Sequence, residues 1–138
     1  MGDLGKIFSP KTVALIGASG REGSAGAVLL GNLVSSRGLK IFAVNSKREA
    51  VQGLSCYKCI ADIPERVDLA VIATPAASVP QTVEECGKAG AGGALIISSG
   101  FRETGREGEM LEREIDSIRK RYGMRVLGPN CLGYLRPN

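Results

Sequence analysis

The stretch "GASGREGSAG" (residues 17–26) places glycine at every third position, Gly17, Gly20, Gly23 and Gly26, with Ser19 and Ser24 between them. Glycine lets the backbone approach a ligand closely and serine hydroxyls add donors, so this composition suits a phosphate or pyrophosphate. A second polar group, Asn45, Ser46 and Lys47 followed by Arg48, offers cations and hydroxyl chemistry to a further anion. The other residue types narrow the chemistry. Histidine is absent, which removes the commonest general base and any phosphohistidine from the chain. "CYKC" (Cys56 to Cys59) has the spacing of zinc and redox centres. Zinc would need two more ligands from Cys86 and Cys131, both remote in sequence, and a redox pair would open a helix, whereas this one lies in a loop-like stretch before "DIPERVD". The carboxylates of "ETGREGEMLEREIDSIRKR" fall opposite an apolar stripe and read as a solvated helix face. No catalytic residue and no metal site are assigned.

The length of 138 residues suits one domain, and 43% hydrophobic with 23% charged residues is a globular balance. No apolar run approaches the roughly 18 residues of a membrane span, and the start lacks a secretory pattern, so a cytoplasmic location with reduced thiols is expected. The net charge of +4 favours anionic ligands. Nucleic acid is not indicated, because the three Phe and three Tyr are not interleaved with the basic residues.

The elements that must position these groups alternate. Short apolar runs predict strands at Thr12 to Gly17, Lys40 to Asn45, Asp68 to Pro75, Ala94 to Ser99 and Arg125 to Gly128. Helical spacing predicts helices over Ala25 to Arg37, with Val28, Leu29 and Leu33 apolar, over the segment marked by Val79, Val83 and Cys86, and over the stripe Leu111, Ile115, Ile118 and Tyr122 ended by Gly123. Apolar strands alternating with helices predict an α/β, Rossmann-like, doubly wound and mostly parallel five-stranded sheet with helices on both faces. Ligands of such sheets bind beyond the carboxyl ends of the strands, where the strand order reverses.

In that setting the glycine stretch follows a strand and opens a helix, whose positive end attracts a pyrophosphate. It departs from the dehydrogenase G-x-G-x-x-G, since Ala18 is followed by Ser19. An NAD site would end the second strand with Asp or Glu, and "NSK" stands there instead. The cations suit an extra phosphate on a ribose, so NADP and coenzyme A both remain.

Taken in order, "FSPKTVALIGASGREGSAG", "IFAVNSK", "DLAVIATPA", "IISSGF" and "GPNCLG" resemble the coenzyme A-binding domain of the ADP-forming acyl-CoA (acetyl-CoA) synthetases, relatives of the succinyl-CoA synthetase α subunit. The resemblance runs from about Leu4 to the last residue. It implies that Gly17, Ser19, Gly20, Gly23, Ser24 and Gly26 surround the diphosphate of CoA or an acyl-CoA. Asn45, Ser46 and Lys47 would lie by the adenosine ribose and its phosphate. Thr74, Pro75 and Ala76 would border the adenine or the start of the pantetheine arm, Ser98, Ser99 and Gly100 would guide that arm, and Asn130 would sit near the thiol. The resemblance also implies downstream ligase and ATP-grasp domains or subunits as partners, so the chain is expected to be the N-terminal part of a longer polypeptide. The alternatives are a stand-alone coenzyme A-binding protein, an NADP-dependent oxidoreductase domain, and a CoA- or nucleotide-sensing regulatory domain fused to an acetyltransferase.

Overall fold

The computed structural model describes residues 10–18, 25–35, 38–97 and 105–128. Seven strands form one sheet: β1 (Thr12–Ile16), β2 (Lys40–Val44), β3 (Ala50–Val51), β4 (Leu54–Tyr57), β5 (Leu69–Ile72), β6 (Gly93–Ile96) and β7 (Arg125–Leu127), in the order β3-β4-β2-β1-β5-β6-β7. Every pairing is parallel except β3 with β4. The helices are α1 (Ala25–Val34), α2 (Val79–Lys88) and α3 (Arg106–Tyr122).

The sheet is parallel and central because both of its faces are apolar. All residues of β5 and β6 are buried, and successive residues of each strand supply opposite cores. Ala14, Ile16, Ala70, Ile72 and Ile96 join Val83 and Cys86 of α2 and Ile115 and Ile118 of α3 on one face. Val13, Leu15, Val71 and Leu95 meet Leu30 of α1 on the other. The doubly wound architecture is thus the expected one.

Three details differ from the sequence expectation. The sheet has seven strands where five were expected, because Ala50–Val51 and Leu54–Tyr57 form a hairpin at one edge. Its turn places both Gln52 (φ 50) and Gly53 (φ 82) in the left-handed region, which suits a two-residue hairpin connection. α1 stops at Val34, where the Ser35 hydroxyl donates to the Asn32 carbonyl at 2.9 Å. Its buried stripe is also rotated: Leu30 is fully buried, while Val28 is 54% exposed.

The termini of the other helices are well specified. α3 ends at Gly123 (φ 63), whose N–H donates to the Lys120 carbonyl while that of Met124 donates to the Arg119 carbonyl. Its first turn carries Glu107 and Glu109 and its last Arg119, Lys120 and Arg121, complementing the helix dipole. At the amino edge of the sheet the Asp68 carboxylate accepts from the Lys11 and Thr12 amides at 2.9 and 3.3 Å, and the Thr12 hydroxyl accepts from the Asp68 amide at 2.8 Å. This staple joins β1 to β5 at the end away from the carboxyl ends of the strands.

α2 and α3 pack through Gly87, where a Cβ would lie 2.5 Å from the Tyr122 ring. The Tyr122 hydroxyl donates to Glu84, and Arg121 Nη1 lies 2.8 Å from the same carboxylate. The Tyr122 bond, with Arg121 beside it, holds the Glu84 carboxyl below its ordinary value of 4.5, and the Glu84 carboxylate raises the Tyr122 phenol above its ordinary 10. The stability from Glu84 is therefore present above 4.5 and lost as the pH falls through its lowered value. That from Tyr122 is present below 10 and lost as the pH rises through its raised value. Tyr122→Phe is expected to lower stability at neutral pH, to flatten the acid limb and to reduce the alkaline limb, part of which remains with the buried Cys86 thiol, as read by urea denaturation at several pH values.

Candidate functional site

The parallel register levels the carboxyl ends of the strands: Ile16 lies beside Val44 and Ile72, Val44 beside Tyr57, and Ile72 beside Ile96. From β1 the chain moves outward to β2, the hairpin and the sheet edge, then returns across β1 to β5. The strand order therefore reverses between β1 and β5, and the crevice expected of this topology opens there.

Gly17 sits at that point with φ +97, and a Cβ on it would lie 2.9 and 3.0 Å from the Ala73 carbonyl carbon and oxygen and 3.1 Å from the Thr74 nitrogen. Only glycine fits, for space and for backbone conformation together. Its N–H and that of Ala18 both donate to the Val44 carbonyl, at 3.0 and 3.2 Å, so the chain curls toward β2 as it leaves β1. Those two amides are thereby committed within the protein. Gly26 is buried in the first turn of α1, which carries no acidic residue, so nothing on that turn opposes an anion. Ser19, Gly20, Gly23 and Ser24 lie outside the described residues, as do Ser98, Ser99, Gly100 and Asn130.

Asn45 is chiefly a positioning residue. Its Nδ2 donates to the Ala18 carbonyl at 2.8 Å, its Oδ1 accepts from the Lys47 and Arg48 amides at 2.7 and 3.0 Å, and its own amide reaches the Tyr57 carbonyl at 2.9 Å. One side chain thus fixes the first residues of the glycine stretch and the turn that carries Ser46 and Lys47. Both of these are exposed.

A cleft of about 360 Å³ lies between these elements. Ile16, Gly17 and Val44 line its base, and Asn45, Ser46, Lys58 and Cys59 the side formed by β2 and β4. Thr74 and Pro75 lead into the opposite side, where Ser78, Gln81, Thr82 and Glu85 project from the start of α2. Of the expected site residues, Gly17, Asn45, Ser46, Thr74 and Pro75 come together here. Lys47 and Ala76 do not line the cleft; Ala76 packs on the core beneath it.

Lys58, Cys59, Gln81 and Glu85 were not anticipated. The first two are brought there by β4, whose mixed apolar and polar residues give no clear strand signal. The last two flank the buried stripe Val79, Val83 and Cys86, and the spacing of 78, 81, 82 and 85 along one helix face was the signal available. β4 also separates the cysteine pair: Cys56 packs on the α1 face of the sheet, whereas Cys59 lines the cleft beside α2. Among the described residues no three His, Cys, Asp or Glu side chains are placed to hold a metal. Burial pushes the Cys86 thiol up to about 12, so it is a packed, unreactive group. On α3, Asp116 pairs within the helix with Arg119 and Lys120 at 2.7 and 3.1 Å and Glu109 with Arg113 at 3.8 Å, as a solvated face would.

A family model described as a CoA binding domain matches residues 11–137. The chain belongs to that family. It is similar, with 48% identity over 130 residues, to an ADP-forming acetate–CoA ligase I of Archaeoglobus fulgidus, covering 94% of this chain and 19% of the relative. The α subunit of an ADP-forming acetate–CoA ligase II of Pyrococcus furiosus is 44% identical over 132 residues, covering 96% of this chain and 29% of that one. Among solved structures, a dinucleotide-forming acetyl-coenzyme A synthetase 1 from Ca. Korarchaeum cryptofilum, in complex with phosphate and ADP, superposes with a TM-score of 0.87 at 41% identity, covering 94% of this chain and 28% of that one. The chain thus spans under a third of the length of these relatives. Coenzyme A is the ligand of the family, and no helix among the described residues is long and apolar enough to cross a membrane.

The geometry at Gly17 gives a test of the site's construction. Gly17→Ala is expected to cost roughly 2 kcal/mol or more, from the left-handed backbone and the contact with Ala73 together, as measured by chemical denaturation.

Proposed function

We propose that this chain is the N-terminal coenzyme A-binding part of an ADP-forming acyl-CoA synthetase, working in the cytoplasm with ligase and ATP-grasp domains or subunits. The parent reaction is acid + ATP + CoA = acyl-CoA + ADP + phosphate. The observation that carries this is the cleft at the strand-order reversal, in a chain matched almost end to end by ADP-forming CoA ligases. The adenosine end of CoA occupies that cleft, between Asn45 and Ser46 on one side and Thr74 and Pro75 on the other. Its diphosphate lies on the glycine stretch from Gly17 to Gly26, at the amino end of α1. Ser98, Ser99 and Gly100 guide the pantetheine arm, and Asn130 stands near the thiol.

The chain's own contribution is positional. Gly17 leaves room for the ligand at the reversal point, Asn45 sets the turn that presents Ser46 and Lys47, and Lys47 answers the charge of the ribose 3′-phosphate. Holding the ADP half fixed restricts where the thiol can reach, so that attack on an acyl phosphate becomes an intramolecular event within the parent enzyme.

Calorimetry of the chain with CoA, dephospho-CoA, NADPH and NADH tests this. CoA is expected to bind most tightly and to lose affinity without its 3′-phosphate; a preference for NADPH would replace the proposal with an oxidoreductase domain. Lys47→Ala is expected to weaken CoA by roughly three- to tenfold, the scale of an exposed charge-assisted contact, and dephospho-CoA by less. Equal losses for both ligands would remove Lys47 from the phosphate.

A further inference from the structure

The α2 side of the cleft holds polar groups that the phosphate-binding motifs leave unused. Ser78, Gln81, Thr82 and Glu85 all line it. Two of them are committed internally, the Ser78 hydroxyl to the Pro75 carbonyl at 2.7 Å and the Thr82 hydroxyl to the Ser78 carbonyl at 2.9 Å. The Gln81 amide and the half-buried Glu85 carboxylate make no hydrogen bond or ion pair among the described residues. They are one turn apart on the same helix face and point the same way, so a single ligand group can meet both.

A carboxylate accepts hydrogen bonds and repels phosphate. On the ADP half of coenzyme A the groups that can donate to it are a ribose hydroxyl and the exocyclic amine of adenine. The opposite side of the cleft sorts the rest of the ligand. The pairing of Val44 with Tyr57 brings Lys58 alongside Asn45, so the cation and the exposed Ser46 stand together at the β2–β4 side. Lys58 likewise has no hydrogen bond or ion pair among the described residues. The cleft is therefore polarised, a cation on one side and an acid with an amide on the other. A phosphorylated ribose belongs at the first and an amino-bearing base edge at the second.

We propose that Glu85, with Gln81 beside it, reads the 6-amino edge of the adenine base and makes the site selective for adenine over a 6-oxopurine. This rests on the coenzyme A reading above. Glu85 accepts from the exocyclic amine, and the Gln81 amide, which both donates and accepts, meets the neighbouring ring nitrogen. A 6-oxo group would turn a lone pair toward the carboxylate instead.

The test is calorimetric titration of the chain with CoA and with its hypoxanthine analogue, in which a 6-oxo group replaces the 6-amino group and the neighbouring ring nitrogen N1 carries a proton. The unmodified chain is expected to prefer CoA by roughly tenfold or more, the scale of a hydrogen bond to a charged acceptor. Glu85→Gln should bring the two ligands to within roughly twofold, because an amide can donate to the 6-oxo group. Gln81→Ala, an exposed position that leaves the core untouched, should narrow the preference as well. An unchanged preference in both variants, or equal binding of the two ligands by the unmodified chain, would overturn the assignment while leaving coenzyme A binding intact. Failure of the unmodified chain to bind either ligand would overturn the coenzyme A reading, and this assignment with it. Lys58→Ala serves as the opposite control: it should weaken CoA more than dephospho-CoA and leave the base preference where it was, and a lost base preference there would refute the division of the cleft.

Discussion

The carboxyl edge of the sheet depends on the close approach of Gly17 to the Ala73–Thr74 backbone. β1 and β5 are neighbours in perfect register to their last residues, yet the chain must leave them in different directions. The Ala73 amide still bonds the Ile16 carbonyl at 2.8 Å, completing the ladder, while Gly17 and Ala18 turn their amides to Val44 on the other side. A side chain at Gly17 would occupy the space into which β5 delivers Ala73. The crevice exists because the chain diverges at a point where no Cβ intervenes.

Asn45 carries that local geometry outward. Its hydrogen bonds tie the exit of β1, the exit of β2 and the end of β4 into one unit, so the glycine stretch and the Ser46–Lys47 turn hold a fixed relation. A polar residue at the end of a strand is usually examined for what it offers a ligand. Here most of its hydrogen-bonding capacity is used within the protein, and the exposed groups are those of the turn it orients. Removing it would cost the site its shape before it cost any direct contact.

The parts of the molecule governed by periodicity were legible in the sequence. Five apolar strands, two of three helix stripes and the left-handed Gly123 stop all followed from spacing and residue type, because burial on two faces leaves no freedom in the choice of side chain. The hairpin from Ala50 to Tyr57 was not legible. β3 has two residues, β4 mixes half-buried Leu, Cys and Tyr with an exposed Ser, and Gln52–Gly53 is a weaker turn signal than Asn-Gly. Its strands are held by an edge pairing, a long-range interaction that local pattern does not record. That omission carried into the site, since Lys58 and Cys59 reach the cleft only because β4 adds to β2. Gln81 and Glu85 were hidden differently: the stripe Val79, Val83 and Cys86 marks the buried face of α2 and by itself gives no role to the polar face beside it.

The distribution of chemistry in the cleft bears on how, on the proposed reading, such a domain can assist a transfer reaction. The chain contains no histidine; Cys86 is packed in the core, Glu84 and Asp68 are engaged in contacts that join elements, Asp116 in pairs within α3, and Cys59 and Glu85 line the cleft. On the proposed reading, what it offers is recognition of the end of coenzyme A most distant from the thiol. Binding energy gathered there is useful to catalysis only if it restrains the reacting end, which requires a rigid platform. The sheet provides it: the cleft is floored by the last residues of central strands, stapled at the far edge by Asp68 and closed at the near edge by Gly17 and Asn45. A flexible arm anchored on such a base sweeps a limited volume, and that restriction is the form in which a binding domain lowers the cost of a transfer carried out elsewhere.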